Sequence, residues 1–371
     1  MGLFGGRSSS AVTEEAVLSA LRGVKDPESG TDIVTLGLVQ GLEIEGGRVA
    51  FTLEFTTQPA LAKVEIHSQA RRAVAALPGV SEAKVTMGSS KPRPAAQHAH
   101  GAAGAEREVL IPEVKHTVAV SSGKGGVGKS TVAVNLALAL RESGASVGLV
   151  DADVYGPNIP LMMGARGRPG MFNDRIIPVQ AYDVKIMSIG FFIKDGDPVV
   201  WRGPMIHTAI QQFLKDVEWG ELDYLIFDMP PGTGDAQLSL SQVLPLSGAV
   251  MVTTPQDVSL LDVRKGLAMF RKMNVPILGI VENMAGFECP HCHHLTPIFG
   301  EGGGQKLADE FGVPVLGSIP IDPETRVGGD TGAPIVVARP ESPQAEAFRR
   351  VAQVVIERVA TLSVLKLPTI T

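Results

Sequence analysis

The segment Gly123-Lys124-Gly125-Gly126-Val127-Gly128-Lys129-Ser130-Thr131 follows an apolar run and opens directly into a helical pattern. It matches G-x-x-x-x-G-K-S/T, the P-loop, in the strand-then-helix context that makes such a match specific. The glycines let the backbone turn tightly and aim N–H groups at phosphate oxygens, and the helix amino terminus adds positive potential. We therefore predict that residues 123–131 bind the phosphates of a nucleotide, with Lys129 at the β- and γ-phosphates and Ser130 on magnesium.

Apolar runs alternate with helical patterns from about residue 109 onward. The runs are largely apolar, as expected of strands covered on both faces; they are residues 116–120, 146–150, 185–189, 224–227, 249–253, 277–281 and 313–317. Helical patterns between them include residues 130–142, 260–273 and 305–311. The alternation predicts an α/β fold over residues 109–371, with a doubly wound and mostly parallel sheet.

Residues 13–87 show a different pattern, that of a small α+β domain. Thr13 is suited to cap a first helix ending at Leu21, residues 48–53 have the pattern of a strand, and residues 62–76 that of a second helix. Residues 88–108 are rich in Ala, Gly, Pro and Ser and hold almost no large apolar side chain, so we predict a flexible linker there. Residues 1–12 are predicted to be a disordered amino terminus.

The composition of the 371-residue chain excludes several classes of protein. A net charge of −6 gives no basic footprint for nucleic acid or anionic lipid, so we expect neither as a partner. The longest apolar runs reach about half of the ~20 residues that a membrane-spanning helix needs. Cys289 and Cys292 are the only cysteines, which excludes a disulfide scaffold and fits the reducing cytoplasm.

Three aspartates follow predicted strands and are candidates for the chemistry of the phosphate site. Asp228 closes the apolar run 224–227, the Walker B position, and is predicted to hold magnesium. Asp151 and Asp153 follow the run that ends at Val150, where either could orient the attacking water or contact the metal shell. Asp153 is our preferred catalytic carboxylate.

The segment Cys289-Pro-His-Cys292 places two thiolates where one metal centre can take both. A 4Fe–4S cluster needs four ligands, so two chains meeting face to face would complete the set. The residues alone leave two other sites open. One is structural zinc, helped by His291, His293 or His294, which could also bridge two chains, and the other is a thioredoxin-like redox pair.

Lys124 is a second lysine in the P-loop, at a position that the ordinary motif leaves variable. With it, the segment KGGVGKST resembles the deviant Walker A motif of the MinD/ParA-like ATPases. In that family the first lysine reaches across a dimer to the partner's phosphates. The resemblance therefore implies a catalytic role for Lys124, with ATP hydrolysis dependent on dimerisation because the lysine stabilises transition-state charge in trans.

Further segments resemble the Mrp/ApbC branch, whose members carry iron–sulfur clusters and deliver them to apo-proteins. They are DADVYGPNIP at 151–160, WRGPM at 201–205, DMPPGTGD at 228–235, VENMAGF at 281–287 and the CPHC pair. The resemblance covers roughly residues 110–340. It implies a homodimeric ATPase that binds ATP and Mg²⁺, holds a 4Fe–4S cluster between the paired Cys289 and Cys292 of two subunits, and meets cluster-assembly scaffolds and apo iron–sulfur proteins. It also implies that Asn283 helps to read adenine and that Asp235 lies in the segment that senses the γ-phosphate.

Residues 13–87 resemble the small iron–sulfur-assembly domain that precedes the ATPase in many bacterial members. Relatives often place a cysteine just after the Thr-Thr pair of that domain. Here Thr56-Thr57-Gln58-Pro59 is followed by Ala60, which argues against an independent thiolate role for this domain.

Two other functions share the two-lysine loop. A MinD/ParA-like spatial-positioning ATPase would need a basic or amphipathic surface element, and the final helix pattern, residues 345–362, is amphipathic but not strongly cationic on its polar face. We expect that helix to pack on the sheet. An electron-transfer subunit like nitrogenase iron protein carries cluster cysteines far apart in sequence, unlike the C-x-x-C pair.

Overall fold

The computed structural model describes residues 12–27, 29–55, 58, 60–88, 111–173, 175–193 and 203–365. The chain divides into a smaller amino-terminal unit and a larger unit that begins at Glu108, and each unit has its own sheet. Residues 1–11 of the predicted disordered terminus and residues 89–108 of the predicted linker lie outside the described residues. The exact domain boundaries stay predictions.

The amino-terminal unit packs two helices with a three-stranded sheet. Its elements are α1 (Glu14–Leu21), β1 (Val39–Glu45), β2 (Arg48–Glu54), α2 (Ala60–Ala75) and β3 (Glu82–Gly88). As predicted, Thr13 caps α1, because its hydroxyl accepts a hydrogen bond from Ala16 N at 3.3 Å. The core joins buried side chains of α1, β2 and α2, among them Leu21, Phe51 and Ile66.

The larger unit alternates strands and helices as its sequence predicts. Its elements are β4 (Val114–Ser122), α3 (Lys129–Glu142), β5 (Val147–Asp151), α4 (Ile159–Met162), β6 (Gly170–Phe172), β7 (Arg175–Ile177), β8 (Val179–Ala181), β9 (Val184–Ser188), α5 (Gly203–Lys215), β10 (Leu222–Asp228), α6 (Asp235–Val243), β11 (Gly248–Thr253), α7 (Asp257–Lys272), β12 (Ile277–Glu288), β13 (Leu295–Thr296), α8 (Gly303–Phe311), β14 (Val315–Ile321), α9 (Pro323–Thr331), α10 (Ile335–Ala338) and α11 (Pro343–Leu365). A short 3₁₀ helix, Ile189–Phe191, follows β9.

The central sheet has the strand order β13-β12-β11-β4-β10-β5-β9-β8, and β14 also pairs with β12. All its pairs are parallel except β12 with β13 and β8 with β9. Helices cover the sheet in two groups, since α11 packs on α3 and α10 while α7 packs on α8. The predicted doubly wound, mostly parallel α/β fold is therefore confirmed.

The order of three strands builds the site. β10 lies between β4 and β5, and its last residue, Asp228, is in register with Val120 on one side and Asp151 on the other. The carboxyl ends of parallel strands share one edge of a sheet, where ligands bind in such folds. This edge therefore carries the P-loop after β4 and both aspartates.

The structure corrects the length of the strand β12, whose later part contains polar residues. The apolar run 277–281 predicts a five-residue strand, whereas β12 continues to Glu288. Glu282 and Asn283 interrupt the run yet are buried, because each has a hydrogen-bond partner from another segment. Glu282 accepts from Gly304 N, at the amino end of α8.

The final helix packs on the sheet, as expected. Phe348, Val351, Val355 and Val359 of α11 are buried, and the helix contacts β14 and α3. Among the helices that the structure describes, none combines the length and the apolar character needed to cross a bilayer.

Candidate functional site

The P-loop encloses one end of a cavity of about 720 Å³ at the carboxyl edge of the sheet. Gly126 and Gly128 both adopt φ +79°, a left-handed conformation that glycine adopts without a steric penalty. Gly128 also forms the amino-terminal cap of α3. The predicted phosphate-binding residues line the cavity, except for Gly123 and Val127, which are buried in the loop.

Lys129 and Ser130, which line this cavity, form a tight cluster with the buried Asp228 behind them. Lys129 Nζ donates to Asp228 Oδ1 at 2.5 Å, and Ser130 Oγ donates to Asp228 Oδ2 at 2.6 Å. Lys129 is 6% exposed and Asp228 1% exposed, so each charge depends on the other for compensation. Hydroxyl and carboxylate oxygens are ligands that Mg²⁺ accepts, and magnesium sites in such proteins use few protein ligands beside the phosphates. Ser130 and Asp228 therefore fit the predicted magnesium site.

Asp151 and Asp153 have different positions, which sequence alone does not distinguish. Asp153 lines the cavity, and its Oδ2 lies 3.9 Å from Lys129 Nζ. Asp151 is fully buried beside it and accepts hydrogen bonds from Ser188 Oγ at 2.9 Å, Ile159 N at 3.2 Å and Asp153 N at 3.2 Å. Asp151 thus holds both ends of the loop that carries Asp153.

Burial raises the pKa of both carboxyl groups. Burial, followed by the neighbouring Asp228 charge, raises the pKa of Asp151 to about 8. Burial also raises the pKa of Asp153, while the Lys129 ammonium opposes that change. Asp153 therefore faces the phosphate cavity next to a lysine, and its catalytic role stays a prediction.

Asn283 reaches the P-loop from β12. Its Nδ2 donates to Val127 O at 2.9 Å, and the side chain is buried at the cavity wall. A Cβ atom on Gly128 would lie 2.2 Å from that Nδ2. The amide is therefore fixed against the loop, and its predicted contact with adenine stays a prediction.

Several cavity residues were not found from the sequence. They come from β12, from the loop after β13, from the end of β14, and from α9 with the residue that caps it: Met284, Phe299, Ile319, Pro320, Ile321, Asp322 and Arg326. One local signal was available, because Asp322 followed by Pro323 is a typical helix start, and Asp322 Oδ1 accepts from Glu324 N at 2.7 Å.

The structure does not bring Asp235 to the cavity. Asp235 is the first residue of α6 and is exposed, whereas Pro231 of the same segment lines the cavity. Its predicted place in a phosphate-sensing segment therefore rests on the resemblance alone.

We expect Gly128→Ala to destabilise the protein more than Gly126→Ala. Both substitutions place a side chain at φ +79°, which costs about 1–2 kcal/mol. Only the Cβ at position 128 meets a neighbour, Asn283 Nδ2, since nothing lies within 4 Å of the position at 126. Displacing Asn283 should add about 1–3 kcal/mol. Urea unfolding of the two variants measures the difference, and equal losses would show that the Asn283 contact is unimportant.

The cysteine pair lies at the tip of a hairpin that β12 and β13 form. Phe287 and Glu288 pair with Thr296 and Leu295, and Cys289 N donates to His294 O at 3.0 Å to close the turn. Cys289 is half-buried and Cys292 is exposed, and both are free thiols. The hairpin therefore presents both sulfur atoms at one edge of the unit.

The turn favours the thiolate form of Cys289. Hydrogen bonds from the backbone of Cys292, then of His291, lower the pKa of the Cys289 thiol. A thiolate is the form that binds iron or zinc. In the described part of the chain, no three His, Cys, Asp or Glu side chains form a group able to hold a metal ion. His293 is bonded through Nδ1 to Glu288 Oε1 at 2.8 Å.

A P-loop at the carboxyl edge of a doubly wound sheet, with a buried aspartate at the end of the neighbouring strand, defines a P-loop NTPase. Residues 113–356 match the family described as NUBPL iron-transfer P-loop NTPase, and residues 14–86 match the family described as iron–sulfur cluster assembly protein. The chain belongs to the NUBPL iron-transfer P-loop NTPase family.

Similar proteins agree with this assignment. The chain is 46% identical over 355 residues to an iron–sulfur cluster carrier protein of Synechocystis sp., which covers 94% of this chain and 98% of that protein. It is 50% identical over 259 residues to the iron–sulfur cluster transfer protein NUBPL of Mus musculus, covering 69% of this chain and 81% of the other. The resemblance predicted from the sequence is confirmed at the level of the family.

Solved structures resemble the larger unit. A nucleotide-binding protein from Archaeoglobus fulgidus, in complex with ADP, aligns with a TM-score of 0.56 and 40% identity over 64% of this chain and 93% of that one. The cell division ATPase MinD of Pyrococcus furiosus aligns with a TM-score of 0.50 and 27% identity over 65% of this chain and 98% of its own. Both support a nucleotide site in this fold.

Proposed function

We propose that this protein is an ATP-hydrolysing carrier that holds a 4Fe–4S cluster between two copies of the chain and transfers it to apo-proteins. One observation carries the proposal: the strand whose Asn283 and Met284 line the phosphate cavity also leads into the hairpin with Cys289 and Cys292. A nucleotide site and a thiol pair are thus connected by a few residues. The iron–sulfur names of the relatives from Synechocystis sp. and Mus musculus support the same function.

The number of ligands supports a shared cluster. A 4Fe–4S cluster takes four thiolates, and this sequence has two cysteines. Both belong to the hairpin tip, so two tips facing each other would supply all four. Such a cluster would be exposed at the junction of the chains, where an apo-protein or a cluster-assembly scaffold can exchange ligands with it.

ATP hydrolysis would use the residues at the cavity floor. The backbone of the loop and Lys129 would bind the phosphates, Ser130 and Asp228 would hold Mg²⁺, and Asp153 would orient the attacking water. Magnesium would supply charge neutralisation at the phosphates. Asn283 would contact adenine, and Asp235 would respond to the γ-phosphate from the start of α6.

Lys124 would act on the phosphates of the partner chain. It is half-buried at the cavity, and no carboxylate of the described residues lies within ion-pair distance of its ammonium group. An ammonium group without an acidic partner is free to reach a phosphate across a dimer. Free thiols also belong in a reducing compartment, so we place the carrier in the cytoplasm.

Anaerobic reconstitution of the full chain tests the proposal. The protein is incubated with ferrous iron and sulfide, desalted, and examined by elemental analysis, visible absorption and native mass spectrometry. We expect a coloured dimer with four iron and four sulfide ions. A colourless dimer that retains zinc instead of iron, or a coloured monomer, would contradict the shared cluster.

A further inference from the structure

Residues 284–286 interrupt β12 between the nucleotide cavity and the cysteine hairpin; we call them the bulge. Asn283 pairs with Ile319 of β14 and Phe287 with Ile321, so β12 has two more residues than β14 over this stretch. Pairing with β11 ends at Glu282, and pairing with β13 begins at Phe287. The described strands therefore leave the bulge without ladder partners, and its backbone can change without breaking the sheet.

The backbone of the bulge is in an unusual conformation. Met284 has φ +57°, a left-handed conformation that a side chain of its size disfavours, and Gly286 has φ +138°. Strained residues of this kind persist where the surroundings hold them, and they cluster at switch regions. The strain at Met284 thus indicates that the bulge is a point where β12, which is otherwise paired, can change conformation.

The side chain of Met284 extends from the bulge toward the P-loop. Met284 lines the nucleotide cavity, and its terminal methyl lies 3.8 Å from the point where a Cβ on Gly128 would be. The residue before it, Asn283, donates to Val127 O at 2.9 Å. Any movement of the loop as it closes on phosphate therefore reaches the bulge at its first residue.

The two ends of the bulge are held differently. On the nucleotide side, buried Glu282 accepts from Gly304 N and anchors the strand to α8. On the other side the strand continues into the exposed hairpin, where a Cβ on Gly286 would lie 3.2 Å from Leu295 Cδ1. A change of conformation at the bulge would therefore move the hairpin and leave the sheet in place.

We propose that the bulge transmits nucleotide binding to the cysteine hairpin, with Met284 as the positioning residue. The inference rests on the proposed function and adds how its nucleotide site controls its thiol site. Nucleotide in the cavity shifts Met284, and the backbone of the bulge changes conformation. The distance between the sulfur atoms of Cys289 and Cys292 and their exposure then change. The coupling acts within one chain, before any contact with a second copy.

Alkylation of the two cysteines by iodoacetamide tests the coupling on full-length, reduced, cluster-free protein at one fixed pH. The rate is measured by mass spectrometry with and without Mg²⁺ and a non-hydrolysable ATP analogue, whose binding is measured in parallel so that the site is equally occupied. We expect the analogue to change the rate about fivefold or more in the wild type. In Met284→Gly, which removes both the side chain beside the P-loop and the strain, the change should fall below about twofold.

Asn274→Gly is the matched control. Asn274 also has a positive φ, +56°, and is exposed after α7, away from the cavity and the hairpin. We expect it to respond like the wild type. Gly286→Ala, which crowds Leu295 and stiffens the bulge, gives a second variant that should lose the response should Met284→Gly fail to fold.

Three results would overturn the inference. The first is an alkylation rate of the wild type that does not change with the analogue, and the second is a Met284→Gly variant that keeps the full change. The third is a change that appears only as protein concentration rises, which would indicate contact between chains. The assay needs neither iron nor sulfide. A failure to load a cluster would therefore refute the proposed function and leave the coupling measurable. A failure of the coupling would likewise leave cluster loading measurable.

Discussion

Lys129→Ala is expected to lower ATP turnover about 100-fold or more, the loss that follows removal of one preorganised charge from a phosphoryl-transfer site. In the structure Lys129 Nζ lies at the cavity floor, 2.5 Å from Asp228 Oδ1 and 3.9 Å from Asp153 Oδ2. Its removal takes away the charge on the phosphates and the group that organises both carboxylates. Steady-state phosphate release measures the change.

Two further variants separate catalysis from folding. Lys265→Ala removes an exposed lysine that pairs with Asp262 at 3.1 Å, and it should keep wild-type turnover. Lys124→Ala should lose turnover while retaining nucleotide binding, if that lysine acts on the phosphates of a partner chain as proposed above. Lys129→Ala leaves the buried Asp228 carboxylate with the Ser130 hydroxyl as its remaining donor, so we expect a folded but clearly less stable protein, and thermal unfolding measures the loss. Wild-type turnover in Lys129→Ala would show that the loop has been misinterpreted.

Changing both Cys289 and Cys292 to alanine is expected to abolish cluster loading. Iron, acid-labile sulfide and visible absorbance should fall to background after anaerobic reconstitution, because these are the only cysteines in the chain. Nucleotide affinity should stay within about twofold of wild type, since the hairpin tip contributes no residue to the cavity wall. Elemental analysis and equilibrium nucleotide binding give the two readouts.

The histidines of the same turn supply the matched control. His291 and His294 are exposed beside the cysteines, and their double alanine variant keeps the backbone N–H of His291 that supports the Cys289 thiolate. We expect that variant to load iron normally. Loss of bound metal in the histidine variant would favour a zinc site with mixed ligands, and iron retained by the cysteine variant would refute the cluster assignment.

Patterns along the chain were enough to predict the larger unit. Buried parallel strands are rich in apolar residues, so β4, β5, β9, β10 and β11 each contain a short, largely apolar run in the sequence. The P-loop was predictable because its glycines and its lysine are adjacent residues with a local conformation. Half-exposed β1 has no such run, since its burial alternates with exposed positions, and it was missed.

The opposite wall of the cavity could not be predicted, because it depends on strand order. Ile319 and Arg326 come nearly two hundred positions after the P-loop, and they reach it only because β14 pairs with β12. Likewise Asp151 and Asp228 lie side by side because β10 is placed between β4 and β5. Nothing in the spacing of these residues indicates which strands are neighbours.

The sheet ends beside the thiol pair in β13, a strand of only two residues. So short a border offers almost no main chain for a neighbouring molecule to pair with, and an intermolecular ladder cannot grow from it. In the dimer proposed above, two copies meeting at this hairpin would adhere through side chains and the shared cluster rather than through main-chain pairing of β13. The lifetime of the dimer would then depend on whether the cluster is bound. Transfer of the cluster to an apo-protein would also be the step that separates the two copies.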